Sequence, residues 1–260
     1  MRVVVVGQNG FLAGHVLAAL RAAGMETVPV SHDGGLDDVI AGAKAVINCA
    51  RAPDDPGREF DGHVARLSAE AGAAFTMLSS RRVYAKGWEA REEDPASGDG
   101  TPYGDGKARS EAAVRQAGGR WTILRLANIF GDELGRDSFM GRLLGGLCRD
   151  GRAIFDMAAQ TRRDFLPAET AAAAIARQVA SGARGIFNLG SGIATPCGDM
   201  AKWVIKGHGD GALVVGDAPV RDEFRLDIGK AAAAFGLGCD REQIRQRCLA
   251  IGRKLKCPIS

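Results

Sequence analysis

Four consecutive valines, Val3, Val4, Val5 and Val6, run straight into Gly7-Gln8-Asn9-Gly10, and a helical pattern of apolar residues opens at Phe11. An unbroken β-branched run suits a strand buried on both faces, since every side chain meets core whichever way it points. Glycines placed after such a strand let the backbone turn tightly. They also bring the free N–H groups at the start of the next helix toward an anion. Strand, glycine turn and helix in this order confine the chain to a parallel α/β sheet.

The theme recurs along the 260 residues. Short apolar runs at 27–30, 45–47, 75–78, 122–126 and 185–189 alternate with helical patterns at 11–23, 58–71, 103–117, 138–149, 168–181 and 197–206, with a last one at 241–254. This predicts a doubly wound parallel sheet. The Gly-, Asp-, Glu- and Pro-containing stretch 89–101 reads as an exposed loop. Between Ser31 and Ala45 only about one short helix fits, so the sheet is expected to lack one crossover. Past Phe130 the alternation loosens. The expected division is a dinucleotide-binding domain at 1–130, rejoined by 165–192, and a small C-terminal substrate-binding domain from 131–164 and 193–260.

Charge narrows the function. The 34 basic and 31 acidic residues leave a net charge of +3 without a long basic block, which argues against nucleic acid as a partner. The first apolar run stops after four residues, too short for a secretory leader, and no later stretch is long enough to span a bilayer. Cys49, Cys148, Cys197, Cys239, Cys248 and Cys257 lie far apart with no C-x-x-C pair. They read as reduced thiols of a cytoplasmic protein, with no metal site.

Two segments carry chemistry. In Tyr103-Gly104-Asp105-Gly106-Lys107 a phenol and an ammonium stand four residues apart, hence on one face of a helix. A phenol, with an ordinary pKa of about 10, accepts a proton poorly at neutral pH, and a nearby cation favours its ionised form. Ser79-Ser80-Arg81-Arg82-Val83-Tyr84 follows the apolar run 75–78, which puts hydroxyls at the carboxyl edge of the sheet, where ligands of such folds bind. There Ser80 can hydrogen-bond a substrate oxygen.

Together, S-S-x-x-V-Y, a polar loop and P-Y-x-x-x-K resemble the catalytic stretch of the NAD-dependent epimerase/dehydratase family, the extended short-chain dehydrogenases. Gly7-x-x-Gly10-x-x-Ala13 resembles the family's glycine turn, with Ala13 for the usual third glycine. Further resemblances follow in order: Leu124-Arg125-Leu126-Ala127-Asn128-Ile129-Phe130-Gly131, Thr161-Arg162-Arg163-Asp164-Phe165, and Phe187-Asn188-Leu189-Gly190-Ser191-Gly192. The resemblance implies a Rossmann fold, NAD or NADP as cofactor, and Ser80, Tyr103 and Lys107 as the catalytic triad. It implies a dinucleotide held by Gly7, Asn9, Gly10, Phe11, Leu12, Ser31, Asn48, Ala50, Tyr103 and Lys107, and a nucleotide sugar met by Arg81, Asn128, Arg163 and Arg221. It also implies a homodimer through the helices at 58–71 and 103–117.

The departures matter as well. The position after the second strand holds Ser31, His32 and Asp33 and meets neither the NAD nor the NADP rule, so both cofactors stay open. Arg81 and Arg82 stand where many 4,6-dehydratases carry an acidic pair, which argues against that elimination. The expected activity is a nucleotide-sugar epimerase. The short sheet also resembles the dTDP-4-dehydrorhamnose reductase branch, which leaves a 4-keto-sugar reductase as the alternative. A non-catalytic dinucleotide sensor is the reading from another class.

Overall fold

The computed structural model describes residues 1–50, 59–85 and 87–257. In chain order it begins with β1 (Arg2–Val6), α1 (Phe11–Ala22), β2 (Glu26–Val30), α2 (Leu36–Ile40), β3 (Ala45–Asn48), α3 (Glu59–Glu70) and β4 (Ala74–Ser80). A 3-10 turn at Arg81–Val83 leads to β5 (Glu89–Ala90), α4 (Pro102–Gln116), β6 (Arg120–Leu126) and β7 (Asn128–Phe130). Then come α5 (Phe139–Asp150), β8 (Arg152–Phe155), β9 (Arg162–Pro167), α6 (Ala168–Ser181), β10 (Gly185–Leu189) and β11 (Ala194–Pro196). The chain finishes with α7 (Cys197–His208), β12 (Ala212–Val215), β13 (Arg225–Leu226), α8 (Gly229–Phe235) and α9 (Arg241–Lys254). The first residue of the helix predicted at 58–71, Arg58, lies outside the described residues.

Six parallel strands form the central sheet, in the order β10-β6-β4-β3-β1-β2. The four valines of β1 explain its two faces. Val3 and Val5 join a core with Val16 and Leu20 of α1, Ile175 of α6 and Phe235 of α8, while Val4 and Val6 pack with Ile40 of α2, Val64 of α3 and Val114 of α4. All four are fully buried, at roughly 1.5–3 kcal/mol for each side chain removed from water. As the spacing predicts, β2 and β3 are linked by α2 alone, with no intervening strand and helix.

A third core lies beyond the sheet, built from Phe130, Leu143 and Leu144 of α5, Phe165, Met200 and Val204 of α7, and Ile244 and Ile251 of α9. Small sheets frame it: β7 runs parallel to β9, β11 runs antiparallel to β9, and β8 pairs with β12. These short pieces, with the β5–β13 pair, are absent from the sequence reading. Apart from the six-residue β9, their strands run two to four residues, too short to show a period of two.

One expectation is corrected. Cys148 in α5 and Cys257 after α9, expected as thiols, are joined in a disulfide with their Cα atoms 4.9 Å apart. They stand 109 residues apart, and only the return of the chain end past α9 to α5 brings them together, so their spacing carried no signal. Cys49, Cys197, Cys239 and Cys248 are free. Among the described residues no helix is long and apolar enough to cross a membrane.

The most buried ion pair among the described residues ties three elements together. Arg125 of β6, 2% exposed, pairs with Glu111 of α4, which is wholly buried, through Nη2–Oε2 at 2.8 Å and Nε–Oε1 at 3.0 Å. Ser79 of β4 donates to the same carboxylate at 2.7 Å. Arg125→Met is expected to cost about 3–5 kcal/mol, because Glu111 is left charged and unpaired in the interior. Urea unfolding measures this, and adding Glu111→Leu should recover much of the loss. A cost within the roughly 0–1 kcal/mol of a surface bridge would contradict the assignment.

Candidate active site

Ser80 is the last residue of β4 and so sits at the carboxyl edge of the sheet. Its Oγ accepts the Arg82 main-chain N–H at 3.3 Å, which bends the chain into the 3-10 turn. The next functional element, α4, starts where Thr101 caps it by accepting the Gly104 N–H at 3.1 Å, with Pro102 in the first turn. Gly104 has a packing reason. A Cβ there would collide with the Arg82 carbonyl oxygen and the Asp99 carboxylate, so only glycine lets this helix start against the turn that follows Ser80. Tyr103 is thereby brought to Ser80, and Lys107 follows one turn later on the same face.

Ser80, Tyr103 and Lys107 line one cleft of about 560 Å³, whose opposite wall is the turn between β1 and α1. Gly7, Asn9, Gly10, Phe11, Leu12, Ser31 and Ala50 line it too, as does His32. Gly7 has φ +82°, and a Cβ on it would fall 2.5 Å from the Ala50 N and Cα, so the β1 turn and the end of β3 touch through backbone. The N-cap of α1 is Gly10, with no side-chain cap and no acidic residue in the first turn. The first turn of that helix thus brings no negative charge of its own and suits an anion. Arg136, which the sequence reading did not single out, also lines the cleft, with its guanidinium 4.9 Å over the Phe11 ring. Cys49 lines it as well, but burial pushes its thiol up to about 12, so it is no nucleophile at neutral pH.

Asn48 does not line the cleft. It is 2% exposed, donates to Asp61 Oδ1 at 2.7 Å and accepts the Ala50 N–H at 3.0 Å. The other oxygen of Asp61 receives Lys107 Nζ at 3.2 Å. Asp61, on α3, thus links the end of β3 to the lysine of α4. Sequence reasoning missed it, because a single Asp in a helical pattern looks like a solvated residue. A second cavity, about 370 Å³, adjoins the first and shares Ser80 and Tyr103; Arg81, Arg82, Asn128, Arg163 and Asp222 line it. Arg221 is exposed and lines neither cavity, and only its carbonyl takes part, accepting from Arg163 at 3.2 Å. Glu133 stands where the two cavities meet, its pKa raised by burial and its carboxylate bound by Ser138 and by the Gly131 N–H.

A family model described as the NAD dependent epimerase/dehydratase family matches residues 3–190. The chain belongs to this family. Among solved structures it is similar to TunA, titled a novel NAD dependent-NDP-hexosamine 5,6-dehydratase involved in tunicamycin biosynthesis, at 19% identity and TM-score 0.84, with 99% of each chain covered. It is similar to MoeE5 in complex with UDP-glucuronic acid and NAD (18%, 0.82, 98% of this chain and 99% of that one). A third is UDP-N-acetylglucosamine 4-epimerase from Bacillus cereus (18%, 0.83, 98% and 99%). No curated protein matches the chain.

Several residues of the family-like motifs turn out to be fasteners in this epimerase/dehydratase-family chain. Asp164, fully buried with its pKa raised by desolvation, accepts from the Ser191 N–H and hydroxyl, the Gly192 N–H and the Leu226 N–H. Asn188 accepts the Tyr84 hydroxyl at 2.6 Å and donates to the carbonyls of Ala90 and Asp227. Of the new features, the Asp61 link is the most exposed to test. Asp61→Ala should lower stability by about 1.5–3 kcal/mol, the usual contribution of hydrogen bonds to charged groups. Thermal unfolding reads it, and an unchanged midpoint would show that Lys107 does not depend on Asp61.

Proposed function

We propose that this chain is an NAD(P)-dependent epimerase-type oxidoreductase acting at a sugar carbon of a nucleotide-linked sugar. One observation carries the reading: Ser80, Tyr103 and Lys107, from β4 and α4, share a cleft with the glycine turn that opens α1. NAD or NADP fits this cleft, since the uncapped start of α1 suits a pyrophosphate and Arg136 adds a positive charge at the same wall. Gly7, Asn9, Gly10, Phe11, Leu12, Ser31 and Ala50 would hold it. When bound, the nicotinamide supplies the acceptor and donor of hydride.

In this reading Tyr103 takes the proton of a sugar hydroxyl and later returns it, and Ser80 donates a hydrogen bond to the same oxygen. Lys107, anchored by Asp61, provides fixed positive charge on the face of α4 that carries the phenol. The second cavity receives the rest of the substrate, with Asn128 and Arg163 toward the diphosphate. Arg221 is left out of the set, because it is exposed and lines neither cavity. The segments 1–130 and 165–192 would serve the dinucleotide. The segments 131–164 and 193–260, around the third core, would shape the substrate side. Similar structures titled with UDP-sugars, NAD and NADPH support this class of ligand.

Tyr103→Phe should lower turnover of a nucleotide sugar by about 10²–10⁴-fold, the usual contribution of a general acid–base, with dinucleotide affinity unchanged. Epimerisation followed by chromatography, with calorimetry for the cofactor, gives both readouts. Parent-like turnover in that variant would overturn the assignment. Steady consumption of reduced cofactor with a 4-keto-sugar nucleotide would replace the epimerase by a reductase.

A further inference from the structure

Three guanidinium groups in the second cavity converge on one carboxylate. Asp222 pairs with Arg81, with Arg82 at 3.4 Å and with Arg163 at 3.8 Å. Arg82 has one more partner, Asp99 at 2.6 Å, so three cations face two carboxylates. The side chain of Arg81 is only 12% exposed, and its guanidinium lies 4.0 Å above the Phe224 ring. Burial pulls its pKa down and the neighbouring arginines act the same way, while Asp222 opposes them. A guanidinium this buried beside like charges requires an anion.

The anion now in place stands on a connecting segment between two short strands. Asp222 lies between β12 and β13 in the stretch 216–224, which has neither helix nor strand. Among the described residues it is the one non-glycine with positive φ, 54°, a conformation that aspartate and asparagine tolerate better than most. Arg81, by contrast, is placed by the fold. It follows Ser80 directly and faces the cavity that Ser80 and Tyr103 also line.

We propose that Asp222 is an internal stand-in for a carboxylate on the sugar, and that the chain takes acidic nucleotide sugars of the uronic acid class, whose carboxylate replaces Asp222 on Arg81 and Arg82. The inference rests on the nucleotide-sugar reading above. A sugar carboxylate fits better than the diphosphate because Arg81 adjoins the serine that touches the sugar oxygen. Its planar fork also matches a planar carboxylate bidentately.

The test is calorimetry on the full chain with NAD present, using UDP-glucose against UDP-glucuronic acid and GDP-mannose against GDP-mannuronic acid, pairs that differ only at C6. The acidic member of at least one pair should bind about tenfold or more tightly than its neutral partner, as a charge-assisted bidentate contact allows. Arg81→Met should erase that preference. Asp222→Asn, which keeps the shape and the backbone conformation, should tighten the acidic member by about 3–10-fold by removing its internal competitor, and leave the neutral one unmoved. Equal binding within both pairs, a preference that survives Arg81→Met, or equal tightening of both members by Asp222→Asn overturns this inference and leaves the proposed function standing. Binding of none of the four overturns both.

Discussion

The site depends on a buried ion pair that lines neither cavity. Arg125 and Glu111 are almost wholly removed from water, and the pair is worth little net stability against a well-packed apolar substitute. Its value is location. Glu111 belongs to the helix that bears Tyr103 and Lys107, Arg125 to β6, and Ser79, which completes the carboxylate's hydrogen bonds, directly precedes Ser80. An alternative register of α4 against β4 would leave a charge unpaired in the interior, a penalty of several kcal/mol that the native arrangement avoids. The two chemical segments are thereby held at a defined height relative to each other.

The same logic extends outward. Arg125 stacks 4.6 Å over Tyr84, whose hydroxyl bonds Asn188, whose amide in turn holds the carbonyls of Ala90 and Asp227. Asp164 gathers the loop after β10 and the strand β13 around one carboxylate. These polar networks are satisfied at nearly every atom, which is what lets them sit in the interior without a large penalty. Several residues that look chemical in the sequence are here joints of a frame, while Ser80, Tyr103 and Lys107 face the first cavity and Arg81, Arg82, Asn128 and Arg163 the second.

Much of this was legible in advance, for identifiable reasons. All six strands of the main sheet were visible as short apolar runs, the clearest being the central ones buried on both faces, as in the valines of β1, whereas the edge strand β2 is only partly buried. The glycine turn and the Tyr103–Lys107 spacing were visible because each is local. The sequence hid whatever depends on distant segments meeting. Asp61 and Lys107 are 46 residues apart, Arg81 and Asp222 are 141 apart, and the two bonded cysteines are 109 apart. Asn48 and Arg221 received ligand roles through the resemblance; Asn48 lies buried between Asp61 and the Ala50 N–H, and Arg221 is exposed and lines neither cavity.

The central claim is that one cleft brings a dinucleotide bound at the start of α1 to the phenol of Tyr103. A crystal structure of the protein soaked with NAD tests this most directly. The account predicts the pyrophosphate on the Gly7–Gly10 turn and the nicotinamide ring within van der Waals reach of the Tyr103 oxygen, with Lys107 at the adjoining ribose. A dinucleotide bound elsewhere, or one whose nicotinamide faces away from Tyr103, would contradict it.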